Sequence, residues 1–170
     1  MGKGTEEVAV EWLIEQRSRI QAEAAKLLCL LQLNITKFQT DRNLEDVAGL
    51  MLGAAFSLWR AIFLASSRPT PTENMIGMGI EFLTKVLRDN SISYMDEKRM
   101  REWSFGYYLN SARFRLLRVA EIQCRPVENR EYEWLKGTYQ AGANVEEEWE
   151  KHMGFFEEAL SEFESRLKRS

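Results

Sequence analysis

The sequence predicts an all-α fold: one domain over residues 1–170, built as a helical bundle of about five main helices, with the second and fourth at its centre. Three observations carry this expectation. Apolar residues recur at steps of three and four over long stretches, the period of an amphipathic helix. Only 3 prolines and 10 glycines occur among 170 residues, too few turn residues for a many-stranded sheet. No stretch alternates apolar and polar residues for long enough to make a strand with one buried face. With 45% hydrophobic and 29% charged residues the composition is globular, and a chain of 170 residues can enclose a core without metals or disulfides.

The first helix is expected over 5–38, because Thr5 followed by Glu6 and Glu7 suits a helix N-terminus. Val10, Leu13, Ile20, Ala24, Leu27, Leu31 and Phe38, with Arg17 and Asn34 filling the gaps, form a heptad seam about four heptads long. The second helix is expected over 44–66, with Asn43 as its N-cap. It carries Gly49, Gly53, Ser57, Ala61 and Ala65 at four-residue steps, a line of small side chains that predicts the closest helix crossing in the core. Pro69 and Pro71 break the chain, and Thr70-Pro71-Thr72-Glu73 reads as a capping box opening a third helix over 72–88. The fourth, over 94–124, is apolar on two faces: Trp103, Tyr107, Phe114 and Leu117 on one, Phe105, Leu109, Ala112, Leu116 and Val119 on the other. Such a helix belongs in the middle of a bundle. Pro126 stops it, and a short helix is expected over 128–135. Asn144 caps the last helix, over 145–168, whose apolar line is Val145, Trp149, Met153, Phe156, Leu160, Phe163 and Leu167.

No secretory signal is evident at the N-terminus, where Met1 to Glu7 is polar and acidic. The run from Val47 to Ala65 is apolar apart from Arg60, and an arginine near its middle makes a buried bundle helix the better reading than a membrane span. Cys29 and Cys124 are the only cysteines. Their distance in sequence makes neither a disulfide framework nor a zinc motif, so two reduced thiols in apolar helical surroundings, in the cytoplasm, are expected.

The net charge of −3 is unevenly spread: 1–40 is neutral, 41–83 carries −2, 84–130 carries +4 and 131–170 carries −5. A basic middle and an acidic tail complement one another within a chain or form a partner site. Two places offer binding chemistry. Arg60, in the most apolar helix, must snorkel to the surface, pair with an acid such as Glu81, Glu102 or Glu121, or hold an anionic ligand. Asn110 and Arg113 flank the same region, and Arg115 and Arg118 continue a basic, aromatic fourth helix that suits nucleic acid or a small anion. The overall pI of about 5.4 argues against a strong phosphate binder.

Catalytic patterns are sparse. His152 is the only histidine, which removes most imidazole chemistry; with Glu148 four residues earlier it makes at most a two-ligand metal site on an exposed helix. Nucleophile elbows, glycine-rich phosphate loops and thiolate metal motifs are missing from the sequence. Glu146, Glu147 and Glu150 spell E-E-x-x-E, which resembles the first half of the magnesium motif of the all-α MazG-type nucleotide pyrophosphohydrolases. That resemblance covers five residues; its second half has no counterpart, since no aspartate follows Asp96. The bundle plan is also similar to that of the small helical HEPN nucleases, but their R-x4–6-H motif has no match before His152.

The expectation is therefore a non-enzymatic helical interaction or regulatory module, self-associating through its heptad-lined helices. A second copy or another protein is the expected partner, with nucleic acid less favoured. No membrane, cofactor or metal is expected.

Overall fold

The computed structural model describes residues 10–38, 40–64, 105–124, 128–139 and 143–169. Six helices occur among them: α1 (Val10–Leu33), α2 (Ile35–Phe38), α3 (Arg42–Leu64), α4 (Phe105–Gln123), α5 (Asn129–Lys136) and α6 (Val145–Arg169). No strand is found among the described residues, and the protein is an all-α helical bundle. The helix expected over 72–88 lies outside the described residues, as do residues 94–104 of the fourth.

Helix ends follow local chemistry, with two departures from expectation. The first helix does not run through to residue 38. Asn34 turns its side chain back to donate from Nδ2 to the Leu30 carbonyl at 2.7 Å, and one turn of helix, α2, restarts beyond it. The second helix begins at Arg42, because the cap is Asp41 and not Asn43: Asp41 Oδ1 accepts from the amides of Asn43 and Leu44 at 3.1 and 3.2 Å. Asn144 caps α6, its Oδ1 accepting from the Glu147 amide at 2.9 Å. Glu146, Glu147 and Glu148 occupy the first turn and Arg166, Lys168 and Arg169 the last, complementing the helix dipole at both ends.

The centre of the bundle is the crossing of α3 and α4, the most extensive pairing of elements among the described residues. α1 lies on α3, and α6 lies on α4, α3 and α1. Partner numbers give the directions. Ser57 meets Ser111 while Gly53 meets Arg115, so α3 and α4 are antiparallel. Gln16 accepts from Trp149 at 2.9 Å and Lys26 pairs with Glu164 at 3.4 Å, so α1 and α6 are parallel.

The two heptad lines meet inside one chain. On α1 and α2, Leu13, Ile20, Ala24, Leu27, Leu31 and Phe38 are buried; on α6, so is the whole line from Val145 to Leu167. Phe38 stacks on Phe163 with ring centroids 6.0 Å apart. Ionic ties run alongside. Arg19 holds Glu157 through Nε and Nη2 at 3.1 and 2.7 Å and Glu150 through Nη1 and Nη2 at 2.6 and 3.0 Å. Lys37 Nζ donates to the Leu167 carbonyl at 2.7 Å. The seams that suggested pairing between chains are thus filled by the chain's own helices.

On α4 the structure corrects the expectation of two buried apolar faces. Leu109, Ala112, Leu116 and Val119 are fully buried. Phe114 is 63% exposed and Tyr107 38%, and Leu117 is partly buried. Two arginines, Arg113 and Arg115, are buried on either side of that face.

Candidate functional site

The densest polar chemistry among the described residues lies where α4, α5 and α6 meet. Arg113 is 2% exposed. Its guanidinium donates from Nη2 to Glu148 Oε1 at 2.8 Å, from Nη1 to the Trp134 carbonyl at 3.0 Å and from Nε to His152 Nε2 at 3.5 Å. It also lies 3.9 Å from the centroid of the Trp134 ring. Trp134 Nε1 donates to the other oxygen of Glu148 at 3.2 Å. His152 is fully buried, edge-on to Trp134 with centroids 4.8 Å apart. Its Nδ1 lies 2.6 Å from the Glu148 carbonyl, which sets the neutral tautomer: Nδ1–H donates there and Nε2 accepts from Arg113. Burial pushes this imidazole down to about 4, and the nearby Arg113 charge pushes the same way. Burial likewise draws Arg113 below its ordinary value, against the pull of Glu148.

This arrangement is a closed network. Each nitrogen of the guanidinium, both Glu148 oxygens and both imidazole nitrogens are engaged. It fastens α5 and α6 to α4, as a fully satisfied buried network does. The exposed Glu148–His152 metal pair considered from sequence is replaced by a buried one whose carboxylate serves Arg113 and Trp134. Among the described residues no group of three or more histidine, cysteine or acidic side chains is placed to hold a metal.

The remaining sequence-derived candidates go different ways. Arg115 is buried on the side of α4 that faces α3. Its guanidinium lies over Gly53, so close that a Cβ there would be 2.2 Å from Arg115 Nε, and its Nη1 donates to the hydroxyl and carbonyl of Ser111. The line of small residues on α3 thus faces α4 at Gly53 and Ser57, but what it admits at Gly53 is an arginine side chain. Arg60, partly buried on the same interface, reaches over the Tyr108 ring at 5.9 Å. Of the acids considered for it, Glu121 engages Arg118 and Tyr132, and Glu81 and Glu102 lie outside the described residues. Asn110 Oδ1 accepts from the Tyr139 amide at 2.6 Å, tying the segment after α5 to α4. Arg118 is exposed and pairs with Glu121 at 3.3 Å. Arg60 and Arg115 therefore share one interface, Asn110 and Arg113 face α5 and α6, and Arg118 faces solvent. The E-E-x-x-E glutamates also diverge: Glu146 and Glu147 are exposed, and Glu150 is held by Arg19.

Two surface features were not foreseen. A groove of about 560 Å³ lies between α5 and α6, floored by Trp134, Gly154 and Phe155 and edged by Arg130 and Lys151. A Cβ on Gly154 would meet nothing within 4 Å. The second is the outward side of α1. Ile14 is 56% and Leu33 77% exposed, and Ser18, Ala22, Ala25 and Cys29 between them are also exposed. Cys29 and Cys124 are free thiols at the surface, not in the apolar surroundings expected for them. Cys124 ends α4 with φ of 54°, the left-handed turn that commonly closes a helix.

By fold and packing the chain is an all-α helical bundle tied by buried arginine networks, and none of its described helices is long and apolar enough to cross a membrane. Comparison with known proteins adds no name to that class: no family model, no curated protein and no solved structure matches the chain.

Proposed function

We propose that this chain is a non-enzymatic helical interaction module that associates with copies of itself. The observation that supports the reading is the outward side of α1. A surface helix ordinarily carries charges on its solvent face. Here the line of Ile14, Ser18, Ala22, Ala25 and Cys29 carries no charge and exposes the large apolar Ile14, and Leu33 is exposed on its flank at the helical angle of Glu15. Apolar surface of this kind, set out along one helix, is typical of protein contact sites. The internal use of both heptad seams moves the proposed contact from those seams to this face.

Binding of nucleic acid or a small anion through the fourth helix has less support. Arg113 and Arg115 are inside the fold, and Arg118 is paired. The two exposed free thiols fit the reducing cytoplasm we propose as its location.

Sedimentation velocity of the full chain from micromolar to near-millimolar concentration tests the reading. A concentration-dependent shift from one chain to two is expected. A strict monomer throughout that range refutes it.

A further inference from the structure

The outer face of α1 also carries information about orientation. At about 100° per residue, Ile14, Ser18, Ala22, Ala25 and Cys29 fall within roughly 80° of arc. Apart from Ile14 these side chains are small and let a second helix approach toward the lower end of the usual interaxial range of about 8–10 Å. Three exposed charges of α1 border or punctuate this face. Glu15 and Lys26 are exposed on one flank, three turns apart and within about 20° of each other. Glu11 is exposed near the middle of the face at its N-terminal end.

These charges distinguish the two ways of pairing the face with itself. In a parallel pair Glu11 meets its own copy at the centre of the contact, and Glu15 faces the opposite flank, where Gln21 and Leu28 stand and the half-buried Arg17, already engaged, lies about 40° further round than Gln21. In an antiparallel pair the same flank of each copy lies on the same side. Centred between residues 20 and 21, this arrangement sets Glu15 of each copy level with Lys26 of the other. It also separates the two Glu11 carboxylates by about 28 Å along the axis at about 1.5 Å rise per residue. Ile14 then seats between Ala25 and Cys29 of the second copy. Lys26 already meets Glu164 of its own chain at 3.4 Å while remaining 47% exposed, so its ammonium can serve both carboxylates.

We infer that two copies of this chain pair through the outer face of α1, antiparallel and centred near Gln21, with Glu15 and Lys26 closing reciprocal ion pairs. The inference rests on the proposed self-association and goes further in naming the surface and its polarity.

Three measurements on the full chain test it. Ala25→Arg places a charge in the contact at an exposed position, so helical content and melting temperature are expected to hold while the dimer is lost in sedimentation. A dimer that survives Ala25→Arg overturns the choice of face. Glu15→Lys is expected to weaken the dimer about tenfold, since two opposite-charge contacts become like-charge ones, and Glu15→Lys with Lys26→Glu to restore most of it. Failure of the double variant to recover overturns the antiparallel register. Mild oxidation provides the third test. Ala22→Cys with Cys29→Ser and Cys124→Ser is expected to give a disulfide-linked dimer, because residue 22 lies beside the two-fold axis. With Cys124→Ser alone, Cys29 is expected to remain free, because the two copies of residue 29 stand about 25 Å apart. A rapid Cys29 disulfide indicates a parallel pair and refutes the inference while leaving self-association intact. A monomer at every concentration refutes both.

Discussion

Arg113 and Arg115 sit two residues apart on α4, each 2% exposed, and face opposite neighbours. Arg113 points to α5 and α6, where Glu148, Trp134 and His152 supply a carboxylate, a carbonyl, a ring face and an imidazole lone pair. Arg115 points to α3, where Gly53 supplies room and Ser111, on its own helix, supplies oxygens. The described neighbours of the two guanidiniums thus contribute differently: groups that match charge and donors around Arg113, and the room of a missing side chain at Gly53 beside Arg115. The contacts of Arg113 answer to electrostatics and pH, and the contact at Gly53 answers to volume. The two sides of α4 should therefore fail under different perturbations.

The largest effect is expected at Glu148. Glu148→Ala leaves the Arg113 charge buried without its carboxylate and should destabilise the fold by about 3–5 kcal/mol, read as a lower urea midpoint. Arg113→Met with Glu148→Met removes both charges and should recover most of that loss. If Glu148→Ala alone shifts stability by less than about 1 kcal/mol, the network is not the tie proposed for it.

Next is acid. The folded His152 titrates at about 4 against 6.5 for an unperturbed histidine, so the unfolded chain takes up the proton first as pH falls. Its contribution is complete above about 6.5 and is lost as pH falls from 6.5 toward 4, on the order of 3 kcal/mol in full. Urea unfolding at stepped pH checks this. His152→Asn should flatten the slope between pH 6.5 and 4.5, and an equally steep slope in that variant would assign it to other groups.

Gly53 tests the volume-based side. Gly53→Ala puts a Cβ into the Arg115 guanidinium and should destabilise by about 1–3 kcal/mol, despite alanine's better helix propensity. Combined with Arg115→Ala, the substitution should be much milder than the sum of the two. Additive losses in that double-mutant cycle would mean that the two residues do not compete for space.

The smallest effect is expected at Gly154, where a Cβ meets open groove. Gly154→Ala should raise stability by about 0.5–1 kcal/mol through helix propensity alone. A thermal melt showing a loss would indicate that the helix bends at this position.

The helices themselves were legible in the sequence, for a local reason. Helical period, caps and breakers act within a few residues, so the α6 line from Val145 to Leu167, its Asn144 cap and the short α5 follow from neighbours in sequence. The line of small residues on α3 marked a close crossing for the same reason, since glycine inside a helix calls for a packing explanation. Asn34 could have been read as a break, because an asparagine inside a helix competes for backbone carbonyls.

The fates of the polar side chains were not legible. Arg113, Arg115, Asn110 and Arg118 look alike on one basic helix, and the sequence offered them together as a binding surface. Glu148 drew notice only as a metal partner for His152, and Arg19 gave no local signal of its grip on Glu150 and Glu157. Trp134 and Glu148 became an arginine site only because α5 and α6 fold back onto α4.

By itself, then, the sequence determined that this protein is helical, where its last helix is capped, and which apolar lines the first and last helices bury. Tertiary structure alone decided which arginines went inside, that His152 is buried, that both heptad seams close within the chain, and that the outer side of α1 is left facing solvent. The physical reason is that helix formation and amphipathic burial follow from residues a few positions apart. The environment of a charge, by contrast, is set by groups 21 to 138 residues away in sequence, as Arg113 to Trp134 and Arg19 to Glu157 show.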